Sequence, residues 1–174
     1  VKTSKEEVDR GHDGSGIWRG GKYLIYEGGA RVPFIIRWPA GIKPGVSDAT
    51  VCQIDFLASF ADFLGIKLPA EEARDSRNTM DAFLGKDPDG LPYLLKEARG
   101  QLSLRAGPWK YVGPWKNKKS KNPGQLFNLE DDPSEQNNLV KSETERVDRL
   151  RSKLQSLVDG PGVRFAPQAV EGLN

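Results

Sequence analysis

The chain has 174 residues, 37% of them hydrophobic, with nineteen glycines, twelve prolines and a formal net charge of +2. That length suits one domain or two small packed subdomains, and the glycine and proline content argues for a loop-rich protein rather than a helix bundle. The near-balanced charge offers no strong field to nucleic acid or an anionic membrane, one cysteine excludes an intrachain disulfide, and no apolar run reaches the roughly 18 residues of a membrane span.

Residues 1–17 are charged and then glycine-rich ("GHDGSG"), without periodicity, and read as loop. They include neither an initiator Met nor an apolar signal region, which reads as a start inside a longer chain. The stretch "WRGGKYLIYEGGARVPF" follows, with glycines at 20, 21, 28 and 29 that permit close backbone approach and positive φ. "VPFIIRWP" (Val32 to Pro39) predicts a strand from its short β-branched and aromatic run. In "ATVCQIDFLASFADFLG", Ile54, Leu57, Phe60, Ala61 and Leu64 fall at helical spacing with Gly65 as the stop. That helix is apolar nearly all round, so it is expected to be well buried, with Asp55 as its cap.

Residues 66–90 read as irregular, with a helical turn near Thr79 to Leu84. "LPYLLKEA", "QLSLRAG", "WKYVG" and "QLFNLEDDP" then predict four short strands, the last stopped by Pro133. "SETERVDRLRSKLQSLVDG" predicts an amphipathic helix, opened by a Ser142–Glu145 capping box and striped by Val147, Leu150, Leu154, Leu157 and Val158. The tail from Pro161 has no period and is expected to be partly disordered or draped over the surface. A strand and helix first, then antiparallel strands and one helix, suggest an α+β unit with a small sheet and a helix on its face.

Chemistry-bearing residues are sparse. His12 is the only histidine, so no multi-histidine metal site is available, and no GxSxG elbow accompanies it. Cys52 sits in an apolar context that fits a buried structural thiol. "EDDPSE" and "GKDPDG" read as turns, and the basic run "KNKKSK" as a solvated loop. What remains is Lys22 with His12, Arg19 and Arg31. A lysine held between glycines is a point charge with three donors, suited to a tetrahedral oxyanion, although a solvent-facing lysine on a tight turn explains the same residues.

The order of motifs resembles that of the type I sulfatases, the arylsulfatase family on the alkaline-phosphatase-like fold. "RGGKYLIYEGGARVPFIIRWPAGIKPG" is similar to the family's RGGK-x4-EGG-x-RVP-x3-RWPG segment, and "SDATVCQIDFLASFADFLGIKLP" to the Asp-centred helix after it. "LSLRAGPWKYV" resembles R-x-G-x-WK-x-[IV], and "QLFNLEDDPSEQNNL" resembles LYNL-x-DP-x-E-x-NL. Together these cover about Gly11 to Val158.

The resemblance implies hydrolysis of a sulfate ester, aryl or carbohydrate, by a formylglycine hydrate with a calcium ion stabilising charge on the sulfate oxygens. It implies that Lys22 binds the sulfate as an electrostatic clamp, that His12 contacts the substrate, and that Glu27, Gly28, Gly29 and Arg31 shape the turn. The family's nucleophile motif (Cys or Ser, any residue, then Pro, Ser or Ala, then Arg) is not matched, since Cys52 is followed by "QID". The calcium-holding aspartates and the Asp-Asn-Gly are also unmatched, and "HDG" is no substitute.

The expectation is therefore the C-terminal portion of a sulfatase, inactive alone, with no bound metal and no cofactor of its own. Residues 1–90 would be the end of the large α/β domain, 91–160 the small sheet with its helix, and 161–174 a tail. The parent is expected to be exported (periplasmic, secreted or lysosomal) and to act on a sulfated small molecule or carbohydrate, with no nucleic-acid or membrane partner. In the family the strand near Val32 to Trp38 belongs to the large central sheet, so the fragment is expected to be prone to self-association through its exposed strand edge and apolar helix. Two alternatives stay open: a phosphodiesterase or phosphatase of the same superfamily, and a non-catalytic binding module.

Overall fold

The computed structural model describes residues 11–114, 123–162 and 164. The basic run "KNKKSK" and most of the tail lie outside the described residues. Two compact units emerge, one made of residues 11–33 with 95–114 and 123–154, the other of residues 34–94 with 155–162 and Arg164.

The first unit is built on a four-stranded sheet, β1 (Leu94–Ala98), β2 (Gln101–Ala106), β3 (Trp109–Val112) and β4 (Gln125–Asn128), in the order β1-β2-β3-β4. These are the four strands that the alternating apolar runs predict. Arg99 and Gly100, both at positive φ, turn β1 into β2, and Gly107 does the same before β3. Such turns twist with the strands they join. Antiparallel pairing sets Arg105 opposite Lys110 and Lys110 opposite Phe127. Because side chains alternate, Ser103, Arg105, Lys110, Val112 and Phe127 share one face, and Leu104, Ala106, Trp109, Tyr111 and Leu126 the other.

The second of these faces receives residues 144–154 of the helix Thr144–Asp159, through buried Val147, Leu150 and Leu154; of the last two stripe residues Leu157 is buried and Val158 is left exposed. Arg146 stacks 3.9 Å over Trp109, and Arg151 Nε donates to the Tyr111 hydroxyl at 3.4 Å. The helix opens at Thr144, two residues later than the expected cap. The Ser142 hydroxyl donates to the Leu139 carbonyl at 3.2 Å, so the Ser142–Glu145 capping box is not what starts the helix.

In the second unit, an α-helix at Phe56–Phe63 (α1) follows a short 3-10 turn at Gln53–Asp55, and a one-turn helix at Met80–Phe83 (α2) comes later; the long helix above is α3. Gly65 at φ +69 ends α1, with Gly65 N–H bonded to Asp62 O and Ile66 N–H to Ala61 O. This is the Schellman arrangement that the glycine predicts.

Four expectations fail in this part of the chain. The Asp55 side chain makes no cap bond; its Oδ1 accepts the Arg77 N–H at 2.8 Å, and Ser76 Oγ caps the helix from outside by accepting the Ala58 N–H. The buried side of α1 is Ala58, Ser59 and Ala61, while Ile54, Leu57, Phe60 and Leu64 are exposed. An all-round apolar helix cannot say which side it will bury. The hydrogen bonds from Ala58 N–H to Ser76 Oγ and from Thr79 N–H to Ser59 Oγ choose the small-residue side.

Val32 to Pro39 forms no strand. Its propensity is right, but a strand exists only where a neighbouring strand takes its N–H and C=O groups, and no described strand pairs with it; the Trp38 carbonyl instead accepts the Gly41 and Ile42 N–H groups of a local turn. Phe34 instead packs on Phe56 and Phe83, Trp38 packs on Phe63, and Ile35 stands 89% exposed. Cys52 is half-buried rather than buried.

Candidate functional site: an anchored loop presenting Lys22

The loop from Trp18 to Arg31 lies in the sheet unit, on the face that α3 does not cover. It is closed on itself by the Gly28 N–H bond to Arg19 O (2.9 Å) and the Leu24 N–H bond to Gly21 O (3.0 Å). The two glycine pairs meet here. A Cβ on Gly28 would fall 2.7 Å from Gly20 O, and one on Gly29 would fall 2.0 Å from Leu24 O. The second pair is therefore glycine for close approach, while Gly20 is needed for its φ of +79.

Two side chains pin this loop to the sheet. Ile25 is buried in a cluster with Val112, Phe127 and Leu129, and Tyr26 beside it bonds Gln125. Glu27 is buried in a charge network: its carboxylate meets Lys110 at 2.9 Å, Arg31 at 2.9 Å, Lys96 at 3.2 Å and Arg105 at 3.9 Å. Its own N–H donates to Glu135 Oε2 at 2.7 Å. Lys110 is fully buried between Glu27 and Glu135, the latter an ion pair at 2.7 Å. Burial alone would raise the Glu27 pKa, but Lys110, Lys96 and Arg31 outweigh it and hold the carboxyl down at about 2. Burial and the neighbouring Lys110 push Lys96 down to about 8.

Of the four basic residues singled out from the sequence, two are occupied. Arg19 donates to Glu135 O at 2.7 Å and stacks 3.8 Å over Tyr26; Arg31 pairs with Glu27 and stacks 3.7 Å over Trp18. Glu27 likewise does more than shape a turn. Lys22 and His12 are exposed. Lys22 stands at the loop tip with its ammonium 4.9 Å from the Tyr23 ring, and no described carboxylate pairs with it. No hydrogen bond joins Lys22 to His12 among the described residues. Lys96, Arg105, Lys110 and Glu135 were not picked out by sequence reasoning. The only signal for them was that Arg105, Lys110 and Glu135 are fixed positions of the R-x-G-x-WK and DP-x-E motifs, which carries no hint of their pairing. No group of three His, Cys, Asp or Glu that could hold a metal occurs among the described residues, and no described helix is long and apolar enough to cross a membrane.

The Sulfatase family model matches residues 7–66. The chain is 40% identical over 158 residues to an N-acetylgalactosamine-6-O-sulfatase of Bacteroides thetaiotaomicron, covering 84% of this chain and 31% of that protein. It is 34% identical over 141 residues to a choline-sulfatase of Rhizobium meliloti, covering 77% of this chain and 26% of that one. A structure solved in work on the metabolism of multiple glycosaminoglycans by Bacteroides thetaiotaomicron superposes with a TM-score of 0.82 at 37% identity, over 91% of this chain and 35% of its own. The chain thus spans about a quarter to a third of the length of these relatives. With the small antiparallel sheet, its helix and the ordered motifs all in agreement, the chain belongs to the sulfatase family.

Proposed function

We propose that this chain is the C-terminal part of a longer sulfatase that hydrolyses sulfate esters, and that Lys22 binds the sulfate group. The observation that carries this is the contrast at the loop: Arg19 and Arg31 are spent on structure, while Lys22 is held out, charged and unpaired by any described carboxylate. A point charge fixed on a preorganised loop stabilises negative charge on sulfate oxygens with little reorganisation. Anchoring by Ile25 and Glu27 supplies that fixity. His12, exposed on the approach to the loop, would contact the substrate from its side.

The parent's formylglycine and calcium are part of this reading, but the described residues of this chain include no group of three His, Cys, Asp or Glu that could hold the metal. This chain's share is electrostatic. The similarity to an N-acetylgalactosamine-6-O-sulfatase favours a carbohydrate sulfate, with N-acetylgalactosamine 6-sulfate the first compound to try.

The test is sulfate release by the longer enzyme with Lys22→Ala. Loss of a charge-assisted hydrogen bond of about 1.5–3 kcal/mol lowers kcat/KM by roughly ten- to 150-fold. Unchanged kcat/KM sinks the assignment. The 174-residue chain alone releases no sulfate from 4-nitrophenyl sulfate, and release abolished by Lys22→Ala would contradict that.

A further inference from the structure

A pocket of about 350 Å³ lies within the sheet unit, beside the loop tip. One wall is Tyr23, with Gly29 and Ala30 behind it; the other is the β1–β2 hairpin, through Lys96, Glu97 and Arg99. Only four described residues other than glycine take positive φ, and two of them, Tyr23 (73°) and Arg99 (53°), line this pocket. Strain of this kind persists where the surrounding structure enforces it and gathers at ligand-binding sites. Arg99 occupies the first central position of a two-residue hairpin turn, where Asn, Asp or Gly is the relaxed choice. Tyr23 is 60% exposed, an aromatic ring with no burial to explain it.

The electrostatics point to a negatively charged occupant. Lys96 and Arg99 line the pocket, and behind its wall the network that Lys96 belongs to sets Arg31, Lys96, Arg105 and Lys110 against the two carboxylates Glu27 and Glu135. The one carboxylate on the pocket wall, Glu97, accepts the Gly100 N–H with one oxygen and stands against the two cations of that wall, Lys96 and Arg99. Burial first and the neighbouring Lys110 second lower the Lys96 pKa, and an anion beside it would favour its charged form.

We propose that this pocket is a subsite for the sugar neighbouring the one whose sulfate meets Lys22, with Tyr23 as the ring platform and Arg99 and Lys96 receiving an anionic substituent. The substrate is then an acidic oligosaccharide rather than a small aryl sulfate. This rests on the assignment of Lys22 made above, to which the pocket is joined by the Lys22–Tyr23 contact.

The experiment is amide chemical-shift titration of the 174-residue chain, which reads weak binding. The probes are N-acetylgalactosamine 6-sulfate, its disaccharide with a hexuronate, the methyl ester of that disaccharide, and a disulfated disaccharide without uronate. The disaccharides shift the amides of Tyr23, Gly29, Ala30 and residues 96–99. Arg99→Asn, which suits the turn, lowers the preference for disaccharide over monosaccharide about fivefold, the scale of one exposed ion pair. Tyr23→Asn, equally at home at positive φ, lowers it similarly. Tighter binding of the acid than of its ester assigns a carboxylate contact, and tighter binding of the disulfated probe assigns a second sulfate.

If neither charge improves on the neutral ester, or the pocket amides do not shift, or both variants keep the wild-type preference, the subsite is overturned. Lys22→Ala separates the two claims, because it weakens all probes by one factor and leaves the preference intact. Weakened disaccharide binding in Arg99→Asn alone, with Lys22→Ala silent, keeps the subsite and removes the sulfate assignment.

Discussion

Lys110 is the residue on which the loop anchor turns. It is completely buried, 2.9 Å from Glu27 and 2.7 Å from Glu135. Lys110→Met keeps most of the side-chain volume and removes the charge. Glu27 then retains Arg31 and Lys96, but Glu135, also completely buried, is left with no described cation in pairing range. Removing one partner of a buried ion pair costs about 3–5 kcal/mol, because the remaining charge stays desolvated. That is a large part of the roughly 5–15 kcal/mol that holds a domain of this kind together. Urea unfolding at neutral pH, followed by far-UV circular dichroism, measures the loss.

A second variant isolates the cause. Glu135→Gln still accepts the Glu27 N–H but carries no charge, so the Lys110→Met/Glu135→Gln double variant should recover part of the loss. The expected coupling is about 2 kcal/mol. A single-variant loss under about 1 kcal/mol, or additive effects in the cycle, would show that the network is not what fixes the loop.

The Glu27 carboxyl gives the same network a pH signature. Its proton is held only below about 2 in the folded chain, against 4.5 for the free group. Its contribution, on the order of 3 kcal/mol, is therefore fully present above about pH 4.5 and is lost as the pH falls towards 2. Glu27→Gln should flatten that part of the stability curve, and an unchanged acid limb contradicts the pairing. Gly29→Ala places a Cβ 2.0 Å from Leu24 O and should prevent loop closure. Gly65→Ala, at positive φ in open space, should cost only about 1 kcal/mol. Thermal melts that rank the two the other way refute the close-approach reading. The exposed set Ile35, Leu57 and Phe60 should drive self-association, and Leu57→Lys with Phe60→Glu should reduce it. A monodisperse wild-type chain in light scattering at high concentration would rule that out.

The sheet unit was legible because its signals are local. Apolar runs between glycines and a 3.6-residue stripe each report one element without reference to another, and all four strands and α3 appear where those signals lie. Boundaries were less secure at the N-terminus of α3, where Ser142 has a nearer partner in the Leu139 carbonyl than the helix it was expected to cap. Val32 to Pro39 shows the opposite limit. Its residues have strand propensity, but pairing is a property of two segments, and sequence reads one at a time. The same holds for α1, whose composition fixes a helix while Ser76, some eighteen residues away, fixes which side is buried.

For the candidate site, the sequence by itself determined the loop's kinds of residue: glycine pairs for a backbone that must fold against itself, a lysine between them, and the motif order that identifies the family. Only the tertiary structure decided how those residues divide. It put Arg19 and Arg31 into stacking and ion pairs, buried Glu27 against Lys110 and Glu135 from strands and turns about a hundred residues distant, and left Lys22 at the tip. The physical reason is that a charge's role depends on what neutralises it. Lys110 and Lys22 are the same side chain, one buried at zero exposure because two carboxylates converge on it and the other in solvent because none does. That difference is created by chain segments that meet only in three dimensions.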